Sequence, residues 1–264
     1  MQRCSWFKRM STPLLMLAAG ILVSAANARA DQDQALKLLK GMSDYVSGQK
    51  SISAKFDASI EVVTHDLEKI QFNNSGEALL VRPNKLRASR VGGYADVELT
   101  YDGKTATVLS KGANAYAQLP LAGTTDEMFD RLRSEFGMQI PGADLLVTNV
   151  FDVLSKDVVQ AKYIGPAVIG GVECEHVAFR NDETDWQLWV QKGPQAIPCK
   201  LVITTKAVTG APQYTLTIKE WKTDATIAAN TFEFFAPTGA ESVKLEDLSD
   251  IDELPAGVVK GAPQ

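Results

Sequence analysis

The chain has 264 residues, 45% of them hydrophobic and 22% charged, with a net charge of −5, so it can bury one large β core or two small ones. An acidic balance excludes a nucleic-acid binder, which needs clustered Lys and Arg, and a peripheral binder of anionic lipid surfaces.

Arg3, Lys8 and Arg9 precede the apolar run "PLLMLAAGILVSAA", and Ala28-Arg29-Ala30 follows as a small-x-small site. This pattern predicts a signal peptide over residues 1–30, cleaved after Ala30, because the run is too short for a comfortable membrane span. Its removal takes four positive charges and shifts the net charge from −5 to −9. No transmembrane anchor is expected after processing.

Residues 32–47 carry Ala35, Leu36, Leu39, Met42, Tyr45 and Val46 at helical spacing, and Gly48 is a natural stop. Then "SISAKFDASIEVV" alternates strictly, with Ile52, Ala54, Phe56, Ala58, Ile60 and Val62 on one face, which predicts a long half-buried strand. Shorter strands follow over 67–82, 84–91, 95–102, 104–110 and 113–119, with "DG" at 102–103 marking a hairpin. Met128, Phe129, Leu132 and Phe136 predict a helix over 125–137, capped by Thr125 or Asp126, and Leu145, Leu146, Phe151 and Leu154 predict a shorter helical piece. Strands resume over 158–164, 171–180, 185–192, 199–207 and 213–223. The tail from 244 is acidic and lacks aromatics, and is expected to be disordered.

No linker separates the strand sets, and neither set has helices enough to cover it. The expected fold is therefore one mainly β domain over residues 31–243, a curved antiparallel sheet of about eleven strands with helices on its open side. Alternation places Phe56, Ile60, Phe72, Leu99, Tyr101, Tyr116, Trp186, Leu188, Val190, Leu201, Ile203, Leu216 and Ile218 on apolar strand faces. Leu36, Leu39, Met42, Met128, Phe129, Leu132 and Phe136 form the stripes of the covering helices. A broad sheet covered by a few short helices tends to enclose a ligand cavity, so the first group is the candidate cavity wall and the second its lid. Trp189 falls on the opposite face from Trp186.

The chemistry-bearing residues are few. There is no G-x-S-x-G, no H-E-x-x-H and no Gly-rich phosphate loop, and His65 sits in a turn. Cys174, His176 and Cys199 lack an evident fourth ligand for a metal. Neither an enzyme, a metal nor a cofactor is expected. Two cysteines in an exported chain suggest one disulfide, Cys174–Cys199. A plain meander would hold them two strand spacings apart, beyond bonding reach, so the bridge requires "GPQAIPC" to fold back.

The helix followed by a long first strand, the mid-chain helical insert, "VAFRNDETDWQLWVQKG…IPCKLVITT", "YTLTIKEWK" and the closing Phe232, Phe234, Pro237, Gly239 and Ala240 together resemble the LolA/LolB/LppX/RseB-like superfamily. They are closest to an uncharacterised branch of predicted periplasmic proteins. The resemblance implies an unclosed antiparallel β-barrel plugged by helices, in the periplasm, whose concave face holds or senses acyl chains. It makes an apolar small molecule or lipid the expected partner, bound by a soluble carrier or binder. The alternative is an envelope sensor or chaperone-type module that binds an envelope protein and fills its core with its own side chains.

Overall fold

The alternating segment after Gly48 forms β1 (Ser51–Val63), and its place is the middle of one sheet. The computed structural model describes residues 17–138, 140–224, 227, 228, 230–249, 251 and 254, with side chains from Arg29 onward. On one side of β1 the chain runs as a meander through β2 (Lys69–Val81), β3 (Lys85–Gly92), β4 (Asp96–Tyr101), β5 (Thr105–Ser110) and β6 (Ala115–Pro120). On the other side β1 pairs with β11 (Gln213–Thr223), which leads back through β10 (Pro198–Thr205), β9 (Thr184–Gln191) and β8 (Val172–Arg180) to β7 (Gln160–Ile169). A two-residue strand, β12 (Glu241–Ser242), joins β6 in parallel, so the described sheet has twelve strands rather than eleven. All other pairings are antiparallel, and β7 and β12 remain as unjoined edges, so the barrel is unclosed.

Local sequence explains the joints. Between β4 and β5, Asp102 Oδ1 accepts the Lys104 and Thr105 N–H groups at 2.8 Å, and Gly103 takes the φ of 89° that the turn needs. Gly76 on β2 serves a different purpose. A Cβ there would lie 2.4 Å from the Phe56 ring, so the missing side chain is what leaves that ring its room. Arg180 grips Asp185 across the β8–β9 hairpin at 2.9 and 3.0 Å, and Lys206 adds a third contact at 3.0 Å.

Those partners, Arg180 first, hold the Asp185 carboxyl down at about 2. An unfolded-state value near 3.9 lies above this, so the stabilisation is complete above about pH 4 and disappears as pH falls through about 2. Solvent screening keeps it small, about 0–1 kcal/mol. Asp185→Asn should therefore lower the urea midpoint slightly at pH 7 and flatten the fall in stability between pH 4 and 2. An unchanged acid slope would show that the clamp contributes nothing.

Three helices cover the inner face of the sheet. α1 (Leu17–Ser47) extends the expected helix toward the N-terminus and runs through the expected cleavage point, where Ala30 is exposed. Its buried stripe, Ala35, Leu39, Met42 and Val46, lies wholly after that point and packs over β7, β8 and β9. α2 (Thr125–Phe136) is capped by Thr124 rather than Thr125 or Asp126. The Thr124 hydroxyl accepts the Glu127 N–H, while Glu127 accepts the Thr124 N–H at 2.7 Å. At its far end Gly137 turns left-handed, with Met138 N–H bonded back to Leu132 O at 3.0 Å. α3 (Val150–Ser155) follows a short 3-10 turn at Ala143–Leu145. Arg82 ties these pieces together by donating to Gln49 O, Val147 O and Val46 O, the last at the C-terminal end of α1 where a cation complements the helix dipole. Burial pulls its pKa down, opposed by the Asp126 carboxylate.

The C-terminal segment wraps the β6 edge. Phe232 is buried and the Phe234 ring lies 4.9 Å from that of Tyr116 on the outer face. After β12 the chain crosses to the inner face, where Leu248 is buried, Leu245 and Ile251 pack on the core, and Arg90 hydrogen-bonds the Ile251 carbonyl. Leu245, Leu248 and Ile251 belong to the stretch from 244 expected to be disordered; of that stretch, 250, 252, 253 and 255–264 lie outside the described residues.

Candidate functional site

Strand register sorts the candidate wall residues by face. Phe56, Ile60, Phe72, Leu99, Tyr101, Trp186, Leu188, Val190, Leu201, Ile203, Leu216 and Ile218 all point inward, through pairs such as Ile60↔Phe72, Leu188↔Leu201 and Trp186↔Ile203. Tyr116 does not. It pairs with Leu109 on the outer face, because the inward residues of β6 are Ala115, Ala117 and Leu119. Ile60 and Phe72 share the inner face but sit beyond the main cluster, where Phe72 meets the Tyr94 ring at 5.7 Å. The strand pattern left out Leu80, Leu86, Val97, Val108, Val177 and Phe179, which complete the face. Phe179 stacks on Trp186 at 4.0 Å.

The covering residues differ in one place. Leu39, Met42, Met128, Phe129 and Leu132 are buried against this face, with Leu36 partly so. Phe136 is 37% exposed, because the helix ends there and the chain reverses at Gly137, sending Met138 to the core in its stead. Tyr101, fully buried, shares its one hydroxyl proton between the Leu121 and Gly123 carbonyls, 2.7 and 2.8 Å away, and so anchors the approach to α2. Side chains fill the centre of the face: Leu188 has no exposed surface and Trp186 is 6% exposed.

Open space lies beside α1. A cleft of about 490 Å³ is bounded by Gln34, Lys37, Leu38 and Gly41 on the helix, by Glu175, Val190 and Gln191 on the sheet, and by Lys192, Gly193 and Ala196 on the loop from β9 to β10. Its floor, Leu38, Val190 and Ala196, is part of the core cluster or packs on it, so the cleft opens onto the inner face. A Cβ added to Gly41 would meet nothing within 4 Å. The rim is charged and internally paired: Tyr163 donates to Glu175 at 2.6 Å and Lys192 lies 3.5 Å from the same carboxylate. The hydrogen bond to Glu175 raises the Tyr163 pKa. A second cleft, about 560 Å³, separates α1 from β7, but Arg29 in its wall precedes the expected cleavage point. Sequence periodicity gave no sign of the cleft; the one available clue was a glycine in the middle of an amphipathic helix.

The opposite face carries another cluster. His176 stacks on Trp189 at 4.1 Å, and Lys200 lies 5.2 Å from the centre of the same ring. Burial pushes the His176 pKa down, and its Nε2 shares a hydrogen bond with Gln187 at 3.0 Å. Trp189 is therefore flanked by side chains of its neighbouring strands, and the C-terminal segment lies at the other end of the sheet. Cys174 and Cys199 are both buried and stand unbridged in this structure, so the bridge expected from the sequence is not shown. Among the described residues no group of three or more His, Cys, Asp or Glu side chains is placed to hold a metal ion.

An unclosed antiparallel barrel with a helix-covered apolar inner face defines the class of protein. The chain belongs to the family described as "Predicted periplasmic protein (DUF2092)", whose model matches residues 35–246, and this places it in the periplasm. The chain is also similar to three solved structures. LprF from Mycobacterium bovis is 14% identical, with 75% of this chain and 97% of that one covered and a TM-score of 0.43. The MucA/MucB complex from Pseudomonas aeruginosa is 12% identical, with coverage of 77% and 62% and a TM-score of 0.43. A LolA superfamily protein from Nitrosomonas europaea is 10% identical, with coverage of 75% and 96% and a TM-score of 0.35. No curated protein matches. No helix among the described residues is long and apolar enough to cross a membrane.

Proposed function

We propose that this protein binds or carries a lipid-like ligand, with the acyl chain entering the cleft between α1 and the β8–β10 end of the sheet. The observation that supports this is the gap at Gly41. The helix omits a side chain at Gly41, in the cleft's own lining, and a Cβ there would meet nothing within 4 Å; Leu38, Val190 and Ala196 line the same space. The volume falls within the roughly 300–1,000 Å³ of small-molecule sites, and an apolar floor with a few polar groups at its rim is their usual make-up. Lys37 at the rim suits an anionic or polar head left in water.

The test is titration of delipidated protein with a fluorescent fatty-acyl probe, in competition with lipid extract. Wild-type protein should bind. Gly41→Phe fills the cleft from a helical position that gains propensity by losing glycine, so it should keep its thermal midpoint and lose at least about tenfold in affinity. Absence of binding by wild-type protein, or undiminished binding by Gly41→Phe, would remove this reading. The second reading, an envelope sensor or interaction module without ligand, would then lead. It is favoured by the filled centre of the inner face, where Leu188 and Trp186 are already buried by the protein itself.

A further inference from the structure

Besides the three helices, the inner face has a fourth cover. Residues 243–251 form a strap whose ends are tied to two strands. At one end the Val243 N–H bonds Tyr116 O of β6 at 2.9 Å, and at the other the Arg90 side chain of β3 holds the Ile251 carbonyl. β5 and β4 lie between those strands, so the strap crosses both. Ala115, Ser110, Val97 and Arg90 are successive cross-strand partners at that level and form the row beneath it. The first three are small, which leaves a trough roughly 14 Å long across the four strands. Leu245, Leu248 and Ile251 fill it. They recur at every third position and all pack on the core, a period begun by the 3-10 turn over Leu245–Asp247. The strap holds on weakly. Among its described residues only Leu248 is buried, whereas α2 buries Met128, Phe129 and Leu132. Lys244 and Glu246 stand in solvent and pair with each other at 3.2 Å, not with the sheet. A segment with one buried anchor opens at a much lower free energy than the strands under it.

We propose that residues 243–251 are a detachable plug, and that the trough beneath them is a second binding site, for an acyl chain with an anionic head. The chain takes the place of Leu245, Leu248 and Ile251 over Ala115, Ser110 and Val97. The head takes the place of the Ile251 carbonyl on Arg90, where an anion makes the stronger, charge-assisted hydrogen bond. Plug and ligand compete for one place, so the strap sets a threshold: the trough takes up only a ligand that outbinds it. The choice of an acyl ligand rests on the function proposed above; the detachment of the strap does not. The trough crosses β3–β6 and the cleft beside α1 lies at the β8–β10 end of the sheet, so the two sites can be tested apart.

The experiment is hydrogen exchange of the delipidated full-length protein, with and without a fluorescent fatty acid. Without it, the 243–251 peptide should exchange on the order of a hundredfold faster than β4 and β5. With it, that peptide should exchange faster still, because the ligand displaces it. Leu248→Asp releases the plug. Its damage is capped at the strap's own opening, so the thermal midpoint should fall by less than about 5 °C. In a Gly41→Phe background, where the cleft is filled, Leu248→Asp should bind the fatty acid at least about tenfold more tightly than Gly41→Phe alone, since no plug has to be expelled. The methyl ester of the same chain should bind that double variant about tenfold more weakly than the acid. A strap that exchanges as slowly as β5, a larger fall in midpoint, no gain on releasing the plug, or equal affinity for acid and ester would each overturn the proposal. Undiminished binding by Gly41→Phe, with strap exchange still rising on addition of the fatty acid, would remove the cleft reading and support this one. The exchange measurement on wild-type protein requires no variant to fold.

Discussion

Leu188→Arg is expected to leave no cooperatively folded protein. Leu188 lies on β9 with Val177 and Leu201 directly opposite on the neighbouring strands, and it has no exposed surface. A guanidinium there loses its hydration, finds no carboxylate among its apolar neighbours and displaces a packed side chain, a combined cost above about 5 kcal/mol. That is of the order of a whole domain's stability. Thermal melts followed by near-ultraviolet circular dichroism should show no native transition. A folded variant melting within a few degrees of wild type would mean that the head reaches water, and hence that a wet cavity extends to the centre of the sheet. This experiment therefore reports on how deep the ligand space beside α1 can go.

Phe129→Ala should lower stability by about 3–5 kcal/mol, or the midpoint by roughly 6–20 °C, while keeping the sheet. Phe129 is buried at the centre of the α2 stripe, between Met128 and Leu132, so its ring leaves a void that neighbours held by the sheet cannot close. The strand ladder does not run through α2, so the far-ultraviolet spectrum of the folded variant should keep its β character. A loss below about 1 kcal/mol would show that α2 rides loosely over the inner face as a lid and does not pack as core.

Periodicity made the strands legible because β1 alternates without a break and because the helices carry stripes that match their burial. It failed where size misled or where register slipped. The expectation puts Tyr116 on the inner face, yet the buried set of β6 is the alternation Ala115, Ala117 and Leu119. The stripe through Leu132 reaches Phe136 on paper, but the left-handed turn at Gly137 hands that position to Met138. The slip of register at Cys199 could not be read either, since a period of two assumes one-to-one pairing. The cleft was invisible for a different reason: it is made by a missing side chain, and hydrophobic patterns record only side chains that are present.

The position of β1 at the middle of the sheet sets the order in which the molecule can assemble. Its β2 edge is satisfied by the next segment to appear, but its other edge waits for β11; Lys55 meets Glu220 across 165 positions of chain. Until those last strands arrive, a thirteen-residue strand keeps an open row of backbone donors and acceptors beside an uncovered apolar face. Such long-range closure makes folding slow and leaves the incomplete chain prone to sticking to others. For a protein of the periplasm, almost the whole chain must be present before the core can close, so its yield is governed by what shields that edge in the interval.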